Sequence, residues 1–191
     1  GDIETLIQVA HENELIPAKI LLTHGHADHA GGATELSNTL DIAIIGPHEE
    51  DLFLLQSLEE QGRMFGMEAN DCMPQQWLKD GDEVILGEAL LSVFHCPGHT
   101  PGHIIFFNND SKLAIVGDVL FRGSIGRTDL PKGNHADLLA SIQTKLWPLG
   151  DDVIFISGHG PVSTFGQERL DNAFVADSVL SSILFFASRI F

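Results

Sequence analysis

Apolar residues along this chain come in short runs, and glycine, proline or acidic residues break each one. "IETLIQVAHENE" (3–14) sets Ile3, Leu6, Ile7 and Ala10 at helical spacing and ends before Pro17, which predicts an amphipathic helix. "AKILLT" (18–23) and "IAIIG" (42–46) read as buried strands, with "GATELSNTL" as a helix between them. From His48 to Asp82 the pattern predicts a polar helix and a long connection, a lid or a surface excursion carrying Gly62, Gly66 and Pro74. Beyond Val84 the runs turn β-rich: "EVILG", "ALLSVFHC", "HIIFFNN" and "KLAIVGD". "HADLLASIQTKLW" (135–147) predicts an amphipathic helix with Asn134 as its N-cap, and "VIFISG" (153–158) one more buried strand. Strands and helices mixed in this order predict an α/β layered fold, with helices outside two sheets.

The last residues, "FVADSVLSSILFFASRIF", are apolar in pairs such as Val179/Leu180, Ile183/Leu184 and Phe186/Ala187. That is helical periodicity, so 175–191 is expected to form an amphipathic helix against a domain of residues 1–174. The stretch is too short and too interrupted to cross a bilayer, and no membrane partner is expected.

Composition narrows the function. The chain has 191 residues, 43% hydrophobic and 19% charged, which suits one globular domain. A formal charge of −17, with no basic stripe, argues against nucleic acid as a partner. Cys72 and Cys96 make no disulfide framework; buried free thiols in a reducing, cytoplasmic setting are expected. Tyrosine is absent, which removes one common phenolic acid from any mechanism.

The chemistry concentrates in "LLTHGHADHAGG". In an extended segment, residues two apart project the same way, so His24 and His26 can grip one cation, while Asp28 and His29 reach a second. The same grammar recurs: "CPGHTPGH" offers His99, "AIVGDVLF" offers Asp118 and "FISGHGP" offers His159, each where an apolar run ends. That makes seven candidate ligands at strand exits, most with glycine beside them. His103 is expected to orient this set or fill core. His11, His48 and His135 are expected to be solvated, and Arg127 with Asp129 to be a structural ion pair.

"THGHADHAGG", "PGHTPGH", "GDVLFRGSIGRTDL" and "GHGP" together resemble the ordered motifs of the metallo-β-lactamase superfamily. Within it they resemble the glyoxalase II-like group, in its short single-domain (YcbL-like) form. The resemblance covers about residues 1–174 and implies an αββα sandwich. It implies that His24, His26 and His99 hold one divalent metal, that Asp28, His29 and His159 hold another, and that Asp118 bridges them. Nitrogen and oxygen ligands without thiolate suit zinc first, then iron or manganese. Two dications against Asp28, Asp118 and a hydroxide leave the site near +1, fit to hold that hydroxide and polarise a carbonyl. Hydrolysis of a small-molecule thioester, of the S-lactoylglutathione type, is the implied activity.

The resemblance also implies a β-hairpin and a "DPGG"-like turn before the first helix, whereas the sequence opens at "GDIETLI". An exposed sheet edge, a weakened core and exchange between chains are therefore expected. Rival readings stay open. One is a persulfide dioxygenase with one iron on His24, His99 and Asp118; another is a non-catalytic remnant. Lactonases share the ligands but commonly use a tyrosine, which this chain lacks.

Overall fold

A computed structural model describes residues 3–181 of the chain. The elements run in order α1 (Ile3–Glu12), β1 (Lys19–Leu21), α2 (Ala27–Ala30), α3 (Ala33–Leu40) and β2 (Ala43–Ile45). A 3-10 turn, Glu49–Asp51, leads into α4 (Leu52–Leu55) and α5 (Leu58–Phe65). Then come β3 (Glu83–Leu86), β4 (Ala89–His95), β5 (Ile104–Asn108), β6 (Leu113–Gly117), β7 (Leu120–Phe121), β8 (Ser124–Ile125) and α6 (His135–Ser141). β9 (Ile154–Ser157), β10 (Ser163–Thr164) and α7 (Phe165–Asp171) follow.

Six strands form the main sheet in the order β10-β9-β6-β5-β4-β3, antiparallel except for the parallel β6–β9 pair. β1 and β2 pair in parallel as a second, small sheet. Three apolar layers follow from strand alternation, in which successive side chains point to opposite faces. Phe107, Ala114, Val116 and Phe155 pack outward against Leu138, Ile142, Leu146 and Phe165. Val93, Ile104 and Phe106 pack inward against Leu78 and Ile45. The far side of the small sheet is covered by Ala30, Ala33, Leu55 and Leu58. This is the α/β sandwich, with helices outside both sheets, that the residue pattern predicts.

Two expectations change in detail. The stretch after His48 is no single polar helix: it splits at Gln56 and Ser57, where the Ser57 hydroxyl donates to the Phe53 and Leu54 carbonyls. Nor is it an excursion, because Leu55 and Leu58 are fully buried. The helix over 135–147 is regular only to Ser141, then widens into a π-turn, Ile142–Leu146, and a 3-10 turn holding Pro148. Asn134 caps it as expected, its side chain accepting from the Ala136 and Asp137 amides. Of the expected helix at 175–191, Val175 and Leu180 enter the outward apolar layer, and 182–191 lie outside the described residues.

Cys72 and Cys96 are free and buried. Helix α1 buries no side chain, and among the described residues β1 pairs with no strand but β2.

Candidate metal centre

The seven candidate ligands arrive on five separate pieces of chain. His24 and His26 lie just past β1, Asp28 and His29 on α2, His99 between β4 and β5, Asp118 after β6 and His159 after β9. His26 keeps an extended backbone, after which the chain turns into α2. That turn, rather than a continued extended segment, carries Asp28 and His29 away from the first pair.

The structure brings all seven together. Ligand atoms of His24, His26 and His99 lie within 4.8 Å of one another, and so do those of Asp28, His29 and His159. His26 Nδ1 is 2.9 Å from His99 Nε2, and His159 Nε2 is 3.1 Å from Asp28 Oδ2. Asp118 stands between the groups: Oδ1 is 3.4 Å from His29 Nε2, and Oδ2 is 3.6 Å from both His99 and His159. Glycine makes room for this convergence. A Cβ on residue 158 would sit 2.2 Å from Asp118 Oδ1.

The donor set fits a cation. His24 Nε2, His29 Nε2 and Asp118 Oδ1 are buried without a hydrogen-bond partner, a costly state for polar atoms unless something else occupies them. Backbone and hydroxyl contacts leave the right nitrogens free. His99 Nδ1–H donates to the Arg127 carbonyl at 2.8 Å, and His24 Nδ1 meets the Thr23 hydroxyl at 3.1 Å. Each ring thus turns its Nε2 inward, as metal-ligating histidines do.

Electrostatics favours the same state. Burial, reinforced by neighbouring imidazoles, holds His24 well below its usual pKa and brings His26 to about 4; burial also lowers His99. Neutral imidazoles are the form that ligates metal. His29 is the exception. Burial pulls it down, but Asp118 and Asp28 outweigh that and raise it to about 9. Asp28 in turn is held well below the usual carboxylate range by the His29 ring beside it.

Residues behind the ligands set their positions. Buried His103 accepts the Asp118 backbone N–H on Nε2 at 3.0 Å, so it orients Asp118 as expected. Asp51 was not foreseen. Fully buried, it accepts from the Gly25 amide, the Thr100 hydroxyl and the Gly102 amide at 2.9, 2.8 and 2.6 Å. It therefore ties the His24–His29 loop to the His99 loop. In the sequence it is one acid among "HEED", indistinguishable from a solvated helix start.

A cavity of about 600 Å³ opens over the centre. His26, Asp28, His99, Asp118 and His159 line it on one side; Phe65, Met67, Phe121, Ile125 and Leu130 add apolar wall. Arg127 also lines it, with its guanidinium paired to both Asp129 oxygens at 2.7 and 2.8 Å, the expected ion pair. Arg122 is not part of the lining. The Phe121–Ile125 wall is clamped from behind by a further pair that the sequence did not single out. Buried Glu168 accepts from the Gly123 amide at 2.7 Å, and Asn172 donates to the Phe121 and Ser124 carbonyls at 3.4 and 3.1 Å.

A family model described as the metallo-β-lactamase superfamily matches residues 8–159. The chain belongs to that superfamily. It is 45% identical to the hydroxyacylglutathione hydrolase GloC of Haemophilus influenzae, over 92% of this chain and 84% of that one. Among solved structures, the BLEG-1 B3 metallo-β-lactamase is 39% identical with a TM-score of 0.84, covering 92% of this chain and 85% of that one. TTHA1623, solved in a di-iron-bound form, is 35% identical with a TM-score of 0.85, covering 92% and 86%. The superfamily fold binds divalent metals, and its likeness to these proteins makes this member a metallo-hydrolase by class. Among the described residues, no helix is long and apolar enough to cross a membrane.

Proposed function

We propose that this protein hydrolyses thioesters of the hydroxyacylglutathione type. His24, His26 and His99 would hold one divalent cation and Asp28, His29 and His159 a second, with Asp118 between the two groups. The observation that carries this reading is the unpartnered, buried Asp118 Oδ1 between two three-ligand groups under an open cavity. Cations bound there would supply a hydroxide nucleophile at neutral pH and polarise the substrate carbonyl. Zinc suits the nitrogen and oxygen donors, as do iron and manganese.

The chain's own residues do the rest. His24, His26 and His99 stay neutral and keep their inward lone pairs. Asp28 stays ionised at neutral pH because His29 stands against it. Phe65, Phe121 and Ile125 give the cavity an apolar wall beside the substrate. A thiolate leaves with little need of a proton, which matches a chain without tyrosine and a cavity whose arginine is already paired. The relative named as a hydroxyacylglutathione hydrolase supports this substrate class. The −17 charge opposes an anionic glutathione conjugate at long range, but screening within about 8 Å at physiological salt leaves local contacts to decide.

The test is a substrate panel on the metal-loaded chain: S-lactoylglutathione under argon, glutathione persulfide with an oxygen electrode, and a cephalosporin. Thioester cleavage without oxygen, lost on chelation and restored by metal, is the expected result. Oxygen uptake with persulfide and no thioester cleavage would make the protein a dioxygenase. A metal-loaded chain inert to all three would be the non-catalytic remnant.

A further inference from the structure

Gln61 stands on α5 at the edge of the cavity, and its carboxamide meets the loop that carries the first ligands. Oε1 accepts the Ala27 amide at 3.1 Å. Nε2 donates to the Leu54 carbonyl at 2.9 Å and lies 3.4 Å from both the Gly25 carbonyl and the Ser57 hydroxyl. The side chain thus brackets the backbone on either side of His26. Its orientation is forced: with oxygen and nitrogen exchanged, two donors would face each other at Ala27 and two acceptors at Leu54. A carboxamide carries both roles on one group, as neither a carboxylate nor an ammonium does.

His26 explains why such a partner is needed. It occupies the N-cap of α2 with an extended backbone but makes no capping hydrogen bond. Its Nδ1 is turned instead to the metal centre, 2.9 Å from His99 Nε2. A ligand at that position leaves the first amides of the helix without their usual side-chain acceptor. Gln61 supplies one from another helix. Asp28 and His29 follow within α2, so the turn that Gln61 holds is the one that parts the two ligand groups. Glycine permits the approach, since a Cβ on residue 25 would come 2.8 Å from the Leu54 Cβ. Fully buried Leu55 and Leu58 anchor the α4–α5 corner from which Gln61 reaches out.

Two plainer roles compete. Gln61 could merely tie α5 to the fold, or it could touch substrate, because it lines the cavity. Its bonds favour neither. The contacts with Ala27 and Gly25 go to the ligand loop, 34 and 36 residues away in sequence, and both polar atoms are already engaged by protein. We infer that Gln61 is a positioning residue that aims His26 and fixes the start of α2, and so sets the spacing between the two ligand groups. This rests on the two-cation reading of the centre.

Zinc titration of the chelator-stripped full chain tests it, with Gln61→Met as the variant. Methionine keeps the length and the helix preference but carries no N–H donor and only a weak acceptor. Zinc affinity should fall about tenfold or more. The visible spectrum of the cobalt-loaded form should change, and kcat for the thioester should drop while KM holds. Ile142→Val, in the outward apolar layer, is the comparison; it should lose stability yet keep the wild-type zinc affinity and cobalt spectrum. A raised KM with unchanged zinc affinity would make Gln61 a substrate contact. A lowered Tm with unchanged zinc affinity and spectrum would make it a structural tie. Either result overturns the inference. Should Gln61→Met fail to fold, Gln61→Glu is read the same way, since it keeps the Ala27 acceptor but sets a carboxylate against the Leu54 carbonyl. The zinc and cobalt measurements decide the matter whatever the substrate is. A wild type that takes up no zinc would overturn the two-cation reading and this inference together, whereas a zinc-binding wild type matched by Gln61→Met overturns the inference alone.

Discussion

Two rows of side chains cross the main sheet, and they end differently. On the outward face, Phe107, Ala114 and Phe155 pair in register and are sealed along the whole row. On the inward face the row runs Val93, Phe106, Ile115, Ile156; the first two are 0% and 1% exposed, the last two 39% and 43%. Helices α6 and α7 lie along the first row. The two-stranded sheet covers β4 and β5 in the second and stops short of β6 and β9. Yet those same two strands deliver Asp118 and His159 to the candidate metal centre. Their exits are fixed by polar links, with the Gly158 amide donating to the Gly117 carbonyl and His103 accepting from Asp118. Site geometry here depends on hydrogen bonds between loops, and global stability on the covered half of the sheet.

Mutations can break that division. Phe106→Ala should cost about 4 kcal/mol by denaturant unfolding, the usual range for a buried aromatic, and Ile115→Ala one row position away should cost under about 1 kcal/mol. Equal losses would mean that the inward row is uniformly buried in solution. Asp51→Ala leaves three donors unpaired and should cost about 3 kcal/mol, with metal affinity falling alongside. A variant that loses stability while keeping metal affinity would detach Asp51 from the site. Glu168→Gln should destabilise by about 1–2 kcal/mol and raise KM for the thioester more than it lowers kcat, since it props the Phe121–Ile125 wall. The smallest effect concerns protons. In the metal-free protein His29 is raised to about 9, so its contribution is complete below the unfolded value near 6.5 and is lost as pH rises through 9. The Tm of stripped protein should therefore fall across that window, and Asp118→Asn should flatten the slope.

Much of this was legible in the sequence, for reasons of range. Strands β3 to β6 and β9 are short apolar runs bounded by turn residues, a local signal that tertiary packing did not overrule. The seven candidate ligands were legible because histidine and aspartate beside glycine at strand exits repeat one local grammar. Placing His99, Asp118 and His159 with one pair or the other needed the family resemblance. What local pattern could not supply is long-range pairing. Asp51 and His48 sit in an acidic stretch that reads as solvated, and their partners, Gly25, Thr100 and His95, lie far along the chain. Leu55 and Leu58 were missed for the same reason: only the small sheet, distant along the chain, buries that face of the helix pair.

The central claim is that loops distant in sequence cage two cations around Asp118. Anomalous diffraction at the metal edge, on crystals of the metal-loaded chain, tests it directly. Two peaks about 3.5–4 Å apart, one against His24, His26 and His99 and one against Asp28, His29 and His159, are the predicted result. A map with no peak beside Asp118 would contradict it.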